Sequence, residues 1–119
     1  MKESGEMYLE SIYVLCRTKK NVRSIDVAEH MNYSKPSVSR AVGLLKKDGF
    51  VLVDKDGYIS LTESGRERAE KIFNRHVVLT RVLVSMGVDE KTASEDACRM
   101  EHVISEKTLD AMQRFLEKR

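Results

Sequence analysis

Residues 24–61 read SIDVAEHMNYSKPSVSRAVGLLKKDGFVLVDKDGYISL, and the order of patterns in this stretch decides the fold. Two short segments have apolar residues at helical spacing, and Ser24 and Ser34 are expected to act as their N-caps. The period then changes, because residues 50–53 and 58–61 have the composition of two short strands joined by a glycine-containing turn. Helix, turn, helix and a two-stranded wing is the order of a winged helix-turn-helix DNA-binding domain.

The second helix of this pair carries hydroxyl and basic side chains on its polar face. Short hydroxyls and helix N–H groups can hold phosphate, and an arginine can reach the edge of a guanine in the major groove. Basic residues before the first helix of the pair and at the wing tip extend the same surface. The residues predicted to bind DNA are Arg23, Ser34, Lys35, Pro36, Ser37, Ser39, Arg40, Lys46, Lys47 and Lys55. Because a solvated helix face can have the same composition, the prediction depends on the agreement of helices, turn and wing.

Composition limits the class of protein. The chain has 119 residues, of which 34% are charged, and its formal net charge is only +2, so affinity for DNA must come from where the basic residues lie. No apolar stretch approaches the ~18 residues of a membrane span, and the start, MKESGEMYLE, is too polar and acidic for a signal peptide. We therefore expect a cytoplasmic protein without a membrane partner, in which Cys16 and Cys98 are thiols or ligands and not a disulfide.

The remainder of the chain is predicted to be helical. A long helix is expected over residues 63–86 with Thr62 as its candidate cap, a further one over residues 89–103, and a last one that begins after Ser105. The fold class is therefore mainly α. We expect a winged helix-turn-helix domain over residues 1–72 and an α-helical domain over residues 73–119, with the long helix bridging the two.

Cys98, Glu101 and His102 are spaced i, i+3 and i+4, which places a thiol, a carboxylate and an imidazole on one helix face. Thiolate and imidazole suit Fe, Co, Ni or Zn, and a carboxylate widens the range toward Mn. A cysteine is often only a small core residue, and a Glu-His pair is often a solvated face. The triplet by itself therefore leaves metal binding open.

With these residues the chain resembles the iron- and manganese-dependent transcriptional repressors typified by the diphtheria toxin repressor and the manganese transport regulator. The resemblance covers nearly the whole chain, and its most specific motif is Asp96-Ala97-Cys98-Arg99-Met100-Glu101-His102. The weaker motifs are Glu6-Met7-Tyr8-Leu9-Glu10 with Ile12-Tyr13, Ser34-Lys35-Pro36-Ser37-Val38-Ser39, Leu61-Thr62 with Gly65, and Arg75-His76.

The resemblance implies a repressor that binds double-stranded operator DNA as a homodimer when it is loaded with Fe(II) or Mn(II), with Co, Ni and Zn as alternatives in vitro. It implies control of metal homeostasis genes, no catalytic residues and no small-molecule substrate. The metal ligands that it implies are Met7, Glu10, His76, Cys98, Glu101 and His102. Because Met7 and Glu10 share a helix face, one ion could clamp the first helix to the fifth and so link metal binding to domain orientation.

The chain departs from the family pattern at the metal ligands. An ancillary site of the iron-selective members falls on Thr80 and Ser94, so it is expected to be lost, although Glu10 and His76 could still complete a weaker second position beside Glu101. Manganese-selective members have carboxylates at the positions of Met7 and Cys98. Since thioether and thiolate are softer donors, we expect one well-formed site that takes iron first and manganese second.

Dimerisation is expected to bury an apolar stripe in the last two helices. The stripe comprises Val103, Ile104, Leu109, Met112 and Leu116.

Two other classes of protein stay open. One is a metal-independent winged-helix regulator with Cys98 as a redox sensor beside Arg99. The other is a zinc enzyme, which is disfavoured because the chain has no Gly-rich phosphate loop and no recognisable Ser-His-Asp order.

Overall fold

The computed structural model describes residues 3–118, and the chain forms two compact units that divide between Glu70 and Lys71. The helices are α1 (Glu3–Thr18), α2 (Ser24–Met31), α3 (Lys35–Lys47), α4 (Glu63–Ser85), α5 (Glu90–Met100) and α6 (Glu106–Glu117), and the strands are β1 (Val51–Val53) and β2 (Ile59–Leu61). The predicted mainly α class is confirmed. The division between the units falls inside α4. Within the described residues, no helix is long and apolar enough to cross a membrane.

The first unit packs three helices and a hairpin around one apolar core. Helices α1, α2 and α3 contact one another, α3 contacts β1, and α1 contacts β2. The strands are antiparallel, with Val51 opposite Leu61 and Val53 opposite Ile59. The buried apolar side chains of this unit include Leu9, Ile12, Val22, Val27, Val38, Val42, Leu45, Val51 and Ile59. The predicted helix-turn-helix and wing are therefore present and share a core.

The caps of α2 and α3 differ. Ser34 is the N-cap of α3, as predicted, and its hydroxyl accepts a hydrogen bond from the Ser37 N–H at 3.4 Å. The prediction for Ser24 is wrong, because Arg23 occupies the N-cap position of α2. The Asp26 carboxylate accepts the Arg23 N–H at 2.8 Å, so the backbone donor at this helix start is satisfied from inside the helix.

The start of α4 packs very closely on the residue before β1. The Thr62 hydroxyl donates to the Gly49 carbonyl at 2.7 Å and accepts the Gly65 N–H at 3.0 Å, which confirms Thr62 as a capping residue. A Cβ atom on Gly65 would lie 1.9 Å from the Phe50 carbonyl oxygen. Only glycine permits this approach, so the position of the wing depends on it.

The second unit contains the remaining turns of α4 with α5 and α6. Val78 and Val82 of α4 form a buried cluster with Leu109 of α6, and Met112 and Leu116 pack against it. Three residues of the predicted dimerisation stripe are thus used in the core of their own unit.

The other two residues of that stripe lie outside the helices. Val103 and Ile104 are in the connection between α5 and α6, and Val103 is 72% exposed. The prediction that Val103 lies in a helix is therefore wrong, and only part of the predicted stripe lies on helices. Helix α5 ends at Met100, earlier than predicted, and Ser105 caps α6 as predicted by accepting the Thr108 N–H at 3.2 Å.

Candidate metal centre and nucleic-acid surface

A fully buried carboxylate lies in the second unit. The side chain of Glu101 is 0% exposed. Its Oε2 lies 3.0 Å from His76 Nδ1, and its Oε1 lies 3.2 Å from His102 Nε2. In spite of that distance, Oε1 makes no hydrogen bond with any residue of the described part of the chain. A buried carboxylate oxygen without a donor is unfavourable, so this position is suited to a cation.

His76 brings α4 to the same place. Its Nδ1 lies 3.8 Å from Cys98 Sγ as well as 3.0 Å from Glu101 Oε2. The hydrogen bond with Cys98, and after it the one with Glu101, raise the pKa of His76 to about 10. The imidazole is therefore protonated at neutral pH in the metal-free protein, and its charge balances that of the buried carboxylate.

The four side chains offer a donor set that transition metals accept. Cys98 supplies sulfur, Glu101 oxygen, and His76 and His102 nitrogen. The Cys98 side chain is exposed, whereas that of His102 is only 2% exposed, so the set has one open and one closed side. The orphaned carboxylate oxygen and this donor chemistry both fit a divalent ion such as Fe(II).

The backbone within the predicted triplet is still helical at Glu101, although α5 ends earlier than predicted. Glu101 is the C-cap of α5, and its φ of −61° and ψ of −24° are still helical. Cys98, Glu101 and His102 therefore keep the i, i+3, i+4 relationship although two of them lie beyond the last helical residue.

Thr80 and Ser94 lie next to His76, as expected from the sequence. The Thr80 hydroxyl donates to the His76 carbonyl at 2.8 Å, and Ser94 Oγ lies 3.4 Å from His76 Nε2. Both hydroxyls thus contact His76 in their own unit, and the loss of an ancillary metal site stays a prediction. Met7 and Glu10 lie one turn apart on α1 in the first unit, both half-buried, and their role as ligands stays a prediction.

The polar face of α3 is exposed to solvent. Val38, Val42 and Leu45 bury the opposite face in the core of the first unit. The Ser37 side chain is half-buried, and its hydroxyl is 2.8 Å from that of Ser34. The predicted DNA-binding residues that are exposed are Arg23, Ser34, Lys35, Pro36, Ser39, Arg40, Lys46, Lys47 and Lys55.

Sequence reasoning assigned no role to two residues that touch these surfaces. Arg75 donates to the backbone carbonyl of Glu101 at 3.3 Å and to the Glu106 carboxylate at 2.6 Å. The ring of Tyr58 lies 4.6 Å from the Arg23 guanidinium carbon. Arg75 stands next to His76 in a motif of the family, which was the available signal, whereas Tyr58 has the spacing of an ordinary strand residue.

Both halves of the chain match the same family of known proteins. Residues 1–59 match "Iron dependent repressor, N-terminal DNA binding domain", and residues 62–119 match "Iron dependent repressor, metal binding and dimerisation domain". These matches are to a metal-binding family and give no support to the alternative of a redox sensor.

Individual proteins similar to this chain support the same family. The chain is 36% identical over 120 residues to an uncharacterized HTH-type transcriptional regulator of Methanocaldococcus jannaschii, with 99% of this chain and 96% of that protein covered. It is 33% identical over 105 residues to the diphtheria toxin repressor of Corynebacterium diphtheriae, with 87% of this chain covered but only 46% of the repressor, so it spans about half of that relative's length.

A solved structure supports the fold assignment. A manganese-dependent transcriptional repressor in complex with manganese superposes with a TM-score of 0.87 at 26% identity, covering 95% of this chain and 52% of that one. The winged-helix unit, the buried carboxylate with its imidazole and thiol neighbours, and the two matching halves lead to one assignment. The chain belongs to the iron-dependent repressor family.

Proposed function

We propose that this protein is a transcriptional repressor that binds double-stranded operator DNA as a homodimer when it is loaded with Fe(II) or Mn(II), and that it controls genes of metal homeostasis. The observation that carries the proposal is Glu101, a fully buried carboxylate with one orphaned oxygen between two histidines. It lies in the same chain as a winged helix-turn-helix unit with an exposed basic face. The proposal includes action in the cytoplasm and no catalytic activity or small-molecule substrate.

We propose His76, Cys98, Glu101 and His102 as ligands from the second unit. A bound divalent ion would supply the positive charge that allows a thiolate and a buried carboxylate to lie side by side. Loading must displace the proton that His76 holds in the metal-free protein, because only the neutral imidazole is a ligand. The thiolate favours Fe(II) over Mn(II), and Met7 and Glu10 remain proposed ligands from α1.

We propose that the homodimer forms through the second unit, which corresponds to the dimerisation domain of the family. This unit leaves several large apolar side chains exposed, although Leu109 and its neighbours are used internally. The exposed apolar side chains are Val84, Met86, Val103 and Phe115. A second copy would bury them, and two copies would present two α3 helices to two half-sites of DNA.

Regulation requires that metal and DNA each favour the binding of the other. A typical allosteric coupling is ~1–3 kcal/mol, which corresponds to a change in affinity of about 5- to 150-fold. By reciprocity, DNA must tighten metal binding by the same factor by which metal tightens DNA binding.

Calorimetric titration with Mn(II) and with anaerobic Fe(II), in the presence and absence of DNA, tests this proposal. The DNA is a duplex selected in vitro from a random-sequence library with the metal-loaded protein. We expect tighter metal binding on the duplex, and we expect His102→Ala to fold but to lose the metal response of DNA binding. His30→Ala, in an exposed histidine of α2, is the matched control. Equal metal affinity with and without DNA would mean that the ion is only structural, and the proposal would be abandoned.

A further inference from the structure

We infer that Tyr58 is a positioning residue for Arg23. Arg23, at the base of the wing, then supplies the contact of this region with a DNA phosphate, and Lys55 at the wing tip contributes less. The inference rests on the proposed function, because it assumes that this face of the first unit binds DNA. Beyond that function, the inference names the cation that contacts the DNA backbone beside α3 and the residue that holds this cation in place.

Arg23 is fixed to the wing by the backbone of the preceding residue. The Val22 carbonyl accepts the Ile59 N–H at 2.7 Å, and the two residues form an antiparallel bridge. Val22 is 1% exposed and Ile59 is 4% exposed, so the bridge is anchored in the core. The segment before α2 thus adds one residue pair to the two-stranded sheet, and Arg23 follows directly from this anchor.

Tyr58 is fixed by the turn at the other side of the contact. Asp54 Oδ1 accepts the N–H groups of Asp56 and Tyr58, each at 2.9 Å, and the Tyr58 carbonyl accepts the Asp54 N–H at 3.1 Å. Gly57 has the positive φ of 83° that this turn requires. Two ordered backbone segments therefore meet at the pair of side chains.

The contact between the two side chains leaves the arginine charge available. The guanidinium carbon lies 4.6 Å from the ring centroid, which is within the range of a cation–π interaction. A neutral ring restrains the plane of the guanidinium without using its N–H groups, which point outward along the edge of that plane. Restraint before binding lowers the entropic cost of ordering a long side chain on a phosphate.

The wing tip is a weaker partner for a phosphate. Lys55 lies between Asp54 and Asp56, so the turn carries two carboxylates against one ammonium, and all three residues are exposed. Next to Arg23, by contrast, one carboxylate faces two cations: Asp26 is paired with the Lys19 side chain, accepts the Arg23 backbone N–H, and is also attracted by the Arg23 charge, all of which help to lower its pKa. Positive charge is therefore in excess at the base of the wing, and this is where a DNA phosphate can bind.

The test measures the affinity of the full-length, Mn(II)-loaded protein for the selected duplex over a series of KCl concentrations. We expect Arg23→Ala to lower the slope of log K against log salt by about one, the change for one lost phosphate contact, and Lys55→Ala to lower it less. We expect Tyr58→Leu to weaken binding by about 2- to 5-fold, the factor that an exposed cation–π contact represents. Tyr58→Phe keeps the ring and should recover most of that loss.

The controls separate the outcomes. Arg66→Ala removes a cation of α4 whose side chain lies 3.9 Å from Glu70, and it is the matched loss of charge in the same unit. In the Arg23→Ala background, Tyr58→Leu should have no further effect on affinity. A wild-type slope for Arg23→Ala, or an equal loss for Tyr58→Phe and Tyr58→Leu, overturns the inference. If Arg40→Ala weakens DNA binding of the metal-loaded protein and Arg23→Ala does not, this inference is wrong but the proposed function stands. If the wild-type protein does not bind the duplex when metal is added, the proposed function is wrong.

Discussion

Arg75 on α4 donates a hydrogen bond at 3.3 Å to the backbone carbonyl of Glu101, which is 26 residues later in the chain. The same guanidinium binds the Glu106 carboxylate at the start of α6 at 2.6 Å. Arg75 therefore holds the short segment that carries Glu101 and His102, although Arg75 is not itself a proposed metal ligand or DNA-binding residue. Groups that orient metal ligands commonly affect the affinity of a metal site as much as some of the ligands do.

We predict that Arg75→Ala weakens Mn(II) and Fe(II) binding by about 10- to 100-fold, the usual range for the loss of a group that orients ligands. The measurement is a competition titration with a metal chelator. Glu106→Gln is the matched control, because it removes the charged partner but leaves the bond to the Glu101 carbonyl. Wild-type metal affinity in Arg75→Ala would show that the segment is held without this arginine.

Local sequence patterns predicted most of the fold of the first unit. The caps at Ser34 and Thr62, the change of period at the wing and the turn at Gly57 each depend on residues a few positions apart. The prediction of Ser24 as the N-cap of α2 is wrong, because the Asp26 carboxylate at the third helical position accepts the N–H of Arg23, and the helix begins one residue earlier than a cap at Ser24 would allow.

The candidate metal centre was only partly accessible to the same reasoning. The spacing of Cys98, Glu101 and His102 is local and was visible, whereas the contact of His76 with Glu101 joins residues 25 positions apart and was suggested only by the family resemblance. Arg23 and Tyr58 are even further apart in the sequence, and nothing in the sequence pattern indicated their contact. Contacts between elements depend on packing, which residue spacing does not encode.

Gly65→Ala should destabilise the first unit, because the added Cβ would lie 1.9 Å from the Phe50 carbonyl oxygen. Backbone must move to relieve this contact, and we expect a loss of about 1–3 kcal/mol or more in the free energy of unfolding. Urea unfolding of the metal-free protein measures it. Gly43→Ala is the matched control, because a Cβ there meets nothing within 4 Å and alanine favours the helix by about 0.5–1 kcal/mol. Equal effects of the two substitutions would contradict the close approach.

Asp26 should make the stability of the first unit depend on pH. The hydrogen bond from the Lys19 side chain, followed by that from the Arg23 backbone, lowers the pKa of Asp26 from its usual value of 3.8. A lowered pKa in the folded state means that the ionised carboxylate stabilises the fold above pH 3.8, and that this contribution is lost as the pH falls through the lower, folded value.

We therefore predict that Asp26→Ala lowers the free energy of unfolding at neutral pH by about 1 kcal/mol, the typical net effect of losing one hydrogen bond, here the one from the Arg23 N–H. The difference from wild type should shrink as the pH falls below 3.8. Thermal unfolding across this range provides the measurement, and Asp110→Ala, in an exposed aspartate of α6, is the control. A difference that stays constant with pH would show that the carboxylate charge does not matter.

Cys98→Glu should change which metal activates the protein. The Cys98 sulfur lies 3.8 Å from His76 Nδ1, next to a carboxylate, so the proposed centre combines one soft donor with harder ones. Replacing the thiolate by a carboxylate should move the order of affinity from Fe(II) and Co(II) toward Mn(II), because Mn(II) prefers oxygen ligands. Titration of DNA binding with each ion, under anaerobic conditions, measures the order.

The absorption spectrum of the Co(II)-loaded protein tests the same prediction independently of DNA. A thiolate ligand gives Co(II) an intense charge-transfer band in the near ultraviolet, which Cys98→Glu should abolish. Cys16→Ser should keep the band, because Cys16 is a half-buried thiol of the first unit whose pKa is raised by burial. If the band survives in Cys98→Glu, or if the order of metals is unchanged, the Cys98 sulfur is not a ligand and the preference for Fe(II) must come from the imidazole and carboxylate donors alone.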